Sequence, residues 1–202
     1  MIPSEKISVF IMAGGKSRRF GSDKTLHTYR GKPLISHVYD AVSPIFESIT
    51  IVADDKDKYG FLNTEVIPDV IPGLGPLGGI HSALTRTASE RIFVFGADMP
   101  FINRDFISYM AEIPDYYDAV VPQPDGYYEP LHAIYRKSCL GSIEMMISSG
   151  RTKITELFGQ IELRPVSDDE IYYYDESHSM FSNINRPQDA EPLESGSAGK
   201  LH

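Results

Sequence analysis

Gly14, Gly15 and Gly21 share one short stretch with Lys16, Arg18, Arg19 and Lys24, in the run Phe10-Ile-Met-Ala-Gly-Gly-Lys-Ser-Arg-Arg-Phe-Gly-Ser-Asp-Lys24. Residues without a Cβ atom let the backbone turn sharply and bring bare N–H groups against a ligand. Such groups form an anion-binding concavity, and the lysines and arginines add full charge around it. A Gly-rich loop alone reads equally well as a solvated basic turn, so its meaning depends on partners further along. Asp98 is the sharpest of these. It ends the apolar run Arg91–Ala97 and is followed by Met99-Pro100, so rigid backbone holds its carboxylate on both sides. Mg²⁺ takes one or two protein carboxylates and leaves its other positions to water and substrate phosphates. An aspartate facing a cationic glycine loop is half of such a site. The competing use of Asp98 is as a cap for the helix near Asn103. Asp69, just before Pro72-Gly73, reads on spacing alone as a turn residue.

Other chemistries lack their motifs. Gly15 is followed by Lys-Ser-Arg-Arg-Phe before Gly21, so no GxxxxGK[ST] phosphate loop is present, and there is no GxGxxG. His27, His37, His81, His132, His178 and His202 show no ligand spacing of the HExxH kind, which speaks against zinc. A GxSxG nucleophile turn is also missing. The tyrosines at 116–117, 127–128 and 172–174 read as strand packing or rim, and the acidic run from Asp168 to Glu176 as a solvated loop.

Composition bounds the partners. The chain has 202 residues, 42% hydrophobic and 23% charged, with 19 basic against 28 acidic side chains for a net charge of −9. That balance excludes broad binding to nucleic acid or a membrane surface and makes the basic cluster local, suited to a small polyanion. Cys139 is the single cysteine; it forms no internal disulfide, reads as a buried small hydrophobe, and fits a reducing cytoplasm. No apolar run approaches the ~20 residues of a membrane span, so the expected location is cytosolic.

Alternating strands and helices must position these residues. Ile7–Met12 is an apolar run of the kind covered on both faces of a sheet. Leu26–Arg30 could pair briefly, Pro33 opens a helix carrying Leu34, Ile35, Val38, Ala41 and Val42, and Ser48–Ala53 and Glu65–Pro68 are further strands. A helix is expected from Gly79 to about Ala88, a strand over Arg91–Ala97, and a helix from Asn103 to about Glu112. Asp118–Gln123 and Leu131–Arg136 make an antiparallel hairpin through Asp125-Gly126. Helices follow over Ser138–Ser148 and Lys153–Phe158, then a strand over Gln160–Val166, while Phe181–Asp189 enters a last helical turn. This is an α/β pattern: a mostly parallel sheet with helices on both faces. In such sheets ligands sit beyond the carboxyl ends of the strands, where Gly14, Asp69 and Asp98 all fall. One domain over residues 1–190 and a disordered tail over 191–202 complete the expectation.

Met12-Ala-Gly-Gly-Lys-Ser-Arg-Arg-Phe-Gly-Ser-Asp-Lys24 resembles the nucleotidyltransferase signature L-A-G-G-x-S-x-R-x-G-x-D-K, in the version of the molybdenum cofactor guanylyltransferases (molybdopterin-guanine dinucleotide biosynthesis protein A). Gly75-Pro-Leu-Gly-Gly79, Ala97-Asp-Met-Pro100, Glu129-Pro-Leu-His-Ala-Ile-Tyr135 and Asn183-Ile-Asn-Arg-Pro-Gln-Asp189 agree in order and spacing. The resemblance implies a Rossmann-like three-layer sandwich of the nucleotide-diphospho-sugar transferase type. It implies Mg²⁺-dependent transfer of GMP from GTP to molybdopterin, with release of pyrophosphate. Met12, Ala13, Gly14 and Gly15 would hold the nucleotide, Lys24 its phosphates, and Arg19 would steady the triphosphate. Asp69 would contribute to guanosine recognition and Asp98 would ligate Mg²⁺. Gly79, Asn183 and Asn185 would lie on the substrate side, and cofactor-delivery proteins or apoenzymes are the implied partners. Where members often carry an asparagine after the second strand, this chain has Val52-Ala-Asp-Asp55. The rival readings are a related enzyme using CTP or another NTP on a small phosphate substrate, and a non-catalytic GTP- or pterin-binding module.

Overall fold

Strand β1 (Ile7–Met12) is buried on both faces because helices cover the sheet from either side. In the computed structural model, which describes residues 1–14 and 24–184, β1 pairs in parallel with β4 (Ile49–Val52) and β6 (Arg91–Gly96). Before β4, the short strands β2 (Thr28–Tyr29) and β3 (Lys32–Pro33) pair antiparallel. With β5 (Glu65–Ile67), β7 (Ala119–Pro122), β8 (His132–Arg136) and β9 (Leu163–Val166), the main sheet has 7 strands in the order β5-β4-β1-β6-β8-β7-β9. Strand β8 is antiparallel to both neighbours, β6 and β7, so the expected hairpin is part of the sheet.

Side chains alternate between two packed layers, as the strand period requires. Val9, Ile11, Phe93 and Phe95 face helices α1 (Leu34–Val42) and α3 (Arg104–Glu112) through Ile35, Val38, Phe106 and Met110. Phe10, Ile92 and Val94 face α2 (Pro76–Arg86) and α4 (Cys139–Ser148) through Leu77, Ile80, Ile143 and Met146. Each such side chain, fully buried, contributes about 1.5–3 kcal/mol, which is what fixes the three-layer sandwich.

Several expectations need correction. Pro33 does not open α1; it ends β3 and stands at the cap position before Leu34. Helix α2 starts at Pro76 rather than Gly79, since the missing N–H of proline costs nothing in a first turn. Gly79 therefore sits inside a helix. The acidic stretch from Asp168 is no simple solvated loop: Asp168–Tyr172 is helix α5, with Ser167 and Glu170 closing a capping box. Glu170 also receives Arg164 at 2.6 Å and the Tyr109 hydroxyl. Burial opposes its charge, yet these donors hold its carboxyl down at about 2. Asp98 does not cap α3, because the Asn103 side chain accepts from the backbone N–H groups of Asp105 and Phe106, each at 3.0 Å. Of the last turn expected over Phe181–Asp189, residues 181–184 are described, with Phe181 closing a short helical turn (Ser179–Phe181); the rest, the domain limit at 190 and the tail from 191 fall outside the described residues. Among the described residues, no helix is long and apolar enough to cross a membrane.

Candidate active site

The route of the chain through the sheet opens a crevice at the carboxyl end of β1. From β1 the chain passes through α1 to β4 on one side, then returns from β5 through α2 to β6 on the other. Connections that diverge in this way leave a gap between them. Backbone bonds knit its floor: Ala13 N–H donates to Val52 O at 3.0 Å, and Ala97 N–H to Met12 O at 3.1 Å. The resulting cleft has a volume of about 720 Å³.

Met12, Ala13, Gly14, Lys24, Asp69, Gly79 and Asp98 all line this cleft. Residues from the start of the chain thus share one cleft with Asp98. Lys24 Nζ donates to Asp98 Oδ2 at 2.5 Å, with the two side chains 12% and 29% exposed. Gly96 makes room for that carboxylate. A Cβ there would stand 3.0 Å from Asp98 Oδ1 and 3.2 Å from Met99 Sδ. Gly79 plays a similar part across the cleft, where a Cβ would come within 2.8 Å of Met12 Sδ. Asn183 packs against the same corner, since the next residue, Ile184, donates its N–H to the Asp98 carbonyl at 3.0 Å. Gly15, Arg19 and Asn185, with Lys16 and Arg18, lie outside the described residues.

Asp69 is more than a turn residue. Its Oδ1 is buried without a hydrogen-bond partner among the described residues, and the loop behind it is pinned by Ser82. That hydroxyl accepts from Val70 N–H at 2.8 Å and donates to Gly78 O at 2.8 Å. Burial first, then the neighbouring charge of Asp54, pushes the Asp69 carboxyl up from its ordinary value. Asp54, the departure from asparagine, lines the same cleft. An acceptor oxygen that has lost water and meets no donor among the described residues is poised for donors on a ligand.

Sequence reasoning missed Thr25 and Tyr59. The Thr25 and Tyr59 hydroxyls are 2.9 Å apart, which ties the turn after Lys24 to the wall of the cleft. Tyr59 is 1% exposed. Its place follows from a helical turn (Lys56–Leu62) folded back on β1, and no local pattern announces that.

The oxygens of Asp98 are hard donors, and the carboxylate already accommodates the positive charge of Lys24. Both features fit a Mg²⁺-sized cation that completes its shell with water and phosphate. Away from the cleft lining, Asp125, Asp168 and His178 bring one ligand atom each within 4.8 Å of one another and could also coordinate a metal. No spacing signal marks that group, because its members meet through the fold.

Comparison with known proteins agrees with this geometry. Residues 9–165 match the family model described as the MobA-like NTP transferase domain. A "probable molybdenum cofactor guanylyltransferase" of Natranaerobius thermophilus is 34% identical over 93% of this chain and 95% of its own. A molybdenum cofactor guanylyltransferase of Desulfosudis oleivorans is 31% identical over 98% of this chain and 99% of its own. The crystal structure of molybdopterin-guanine dinucleotide biosynthesis protein A from Archaeoglobus fulgidus superposes with a TM-score of 0.77 at 30% identity, covering 91% of this chain and 94% of that one. The sandwich, the cleft and the matched sequence together show that the chain belongs to the MobA-like NTP transferase family, the nucleotidyltransferase family of the molybdenum cofactor guanylyltransferases.

Proposed function

We propose that this protein transfers GMP from GTP to the terminal phosphate of molybdopterin. The observation that carries the reading is the meeting of the Met12–Gly14 backbone, Lys24, Asp69 and Asp98 in one cleft. An oxygen of the acceptor phosphate attacks the α-phosphorus, the bond to the bridging oxygen breaks, and pyrophosphate leaves with that electron pair. No covalent bond to the enzyme is needed. The chain's work is to hold two polyanions in line and to meet charge as it develops.

In this reading Lys24 exchanges its bond with Asp98 for a phosphate oxygen when the nucleotide arrives. Arg19 and the amides of Gly14 and Gly15 serve the same triphosphate in this reading. Asp98 would hold Mg²⁺, which supplies screening of the phosphates and of the departing pyrophosphate. In this reading Gly79, Asn183 and Asn185 serve the acceptor. Asp54 and Asp69 offer only acceptors when ionised. Guanine presents adjacent N1–H and amino donors, whereas the pairing edge of cytosine sets one amino group beside two acceptors. That difference favours GTP over CTP. The buried Cys139 suits a reducing cytosol, and a delivery protein or apoenzyme would receive the product.

Pyrophosphate release, measured with each NTP and Mg²⁺ with and without molybdopterin, tests the reading. Release is expected with GTP and acceptor together. Equal or faster release with CTP overturns the base assignment, and binding without release from any NTP points to a carrier module. Asp98→Ala is expected to lower kcat by about 10²–10³-fold with the melting temperature unchanged. Activity near wild type would refute the metal role.

A further inference from the structure

Among the described residues, two donors of different character approach the carboxylate of Asp98. Lys24 Nζ lies against Oδ2 at 2.5 Å. With its amide nitrogen turned toward Asp98, Asn183 donates to Oδ1 at 3.0 Å and to Oδ2 at 3.3 Å. Chemistry assigns that orientation, because the opposite one would set the amide oxygen against a carboxylate, acceptor facing acceptor.

The Asn183 backbone leaves its side chain little choice. Ile184 is 1% exposed, packed with Tyr29 and Leu34, and its N–H donates to the Asp98 carbonyl at 3.0 Å. The segment is thus fastened to the main chain of the very residue whose side chain Asn183 holds.

We propose that Asn183 is a positioning residue that fixes the Asp98 carboxylate for its metal. The inference rests on the function proposed above and adds to the acceptor-side role that resemblance gives this asparagine. Asp98 would hold the cation on the same carboxylate that Lys24 pairs with here, and in the proposed exchange Lys24 would move to a phosphate oxygen. A neutral amide keeps hold of Oδ1 through that exchange. A lysine or arginine in its place would repel the cation, and a second carboxylate would add charge that the site must then neutralise. An amide orients without altering the charge. Partners of metal ligands act in this way, and their loss costs about 10–100-fold in metal affinity.

The test omits the acceptor. Mn²⁺ binding to the full chain with a non-hydrolysable GTP analogue is measured by electron paramagnetic resonance, without molybdopterin. Asn183→Ala is expected to weaken Mn²⁺ binding about tenfold or more while affinity for the metal-free analogue stays at the wild-type value. Asn183→Leu, of similar size and without polar atoms, should behave alike and serves where the alanine variant fails to fold. Mn²⁺ affinity within twofold of wild type in a folded variant overturns the inference and leaves Asn183 an acceptor-binding residue alone. If the wild-type chain itself takes up no Mn²⁺ with the analogue, the metal-dependent reading fails, and this inference with it.

Discussion

His132 is fully buried among the rings of Phe93, Phe95, Phe106 and Phe181, with the Phe95 centroid 5.0 Å away. Neither ring nitrogen has a hydrogen-bond partner among the described residues. Burial without a partner disfavours the charged form and pushes the imidazole down to about 3 from 6.5. Between those values the unfolded chain binds a proton that the native chain refuses, so stability falls as pH drops below 6.5. The slope from this group approaches about 1.4 kcal/mol per pH unit. Glu129 works in the opposite sense over a narrower window, since burial raises its carboxyl from 4.5 to about 6. The contribution of Glu129 is present below 4.5 and lost as pH rises through 6. His132→Leu is expected to flatten the acid limb and to raise stability near neutrality by about 1 kcal/mol, as two desolvated polar atoms disappear. Urea denaturation from pH 4.5 to 7.5 reads both effects; an unchanged acid slope would show that His132 does not set it.

Among the elements, β6 bears most directly on the chemistry. Gly96 pairs with Met12 at the last position of the β1–β6 register, and its missing Cβ is space that Asp98 uses. Gly96→Ala should leave the sheet intact yet push the carboxylate out of line. A misplacement of about 1 Å can cost 10²-fold, and a loss between tenfold and that limit is expected in GTP-dependent pyrophosphate release. A melting temperature near wild type with full activity would show that Asp98 tolerates the shift. Helix α5 teaches a different lesson about elements. A run of acidic side chains looks solvated when only local charge is weighed. The Ser167–Glu170 capping box was present in the sequence, but the pairing of Glu170 with Arg164 and Tyr109 comes from a neighbouring strand and a distant helix.

For the molecule as a whole, function depends on a crevice that no single element owns. Its walls come from the ends of β1, β4 and β6 and from the start of α2, so a ligand filling it bridges segments that are far apart in the chain. Such a ligand binds the native state alone and raises apparent stability by mass action, by about 2.7 kcal/mol at 100 times its Kd. A thermal-shift series is therefore expected to give the largest rise with GTP and Mg²⁺ together. A larger rise with CTP would reverse the base preference argued from Asp54 and Asp69.

The sequence by itself determined the strand–helix alternation, the two-sided burial of β1, the placing of Asp98 at a strand end and the kinship with nucleotidyltransferases. These are local properties, written in apolar periodicity and in short motifs whose glycines and charges must be adjacent to work. Tertiary structure alone decided that Lys24 pairs with Asp98, that Asp69 lines the cleft with one oxygen unpartnered among the described residues, and that Asn183 reaches the same carboxylate as Lys24. Those relations depend on strand order and on the side from which each connection returns, and a parallel sheet sets both through contacts distant in sequence.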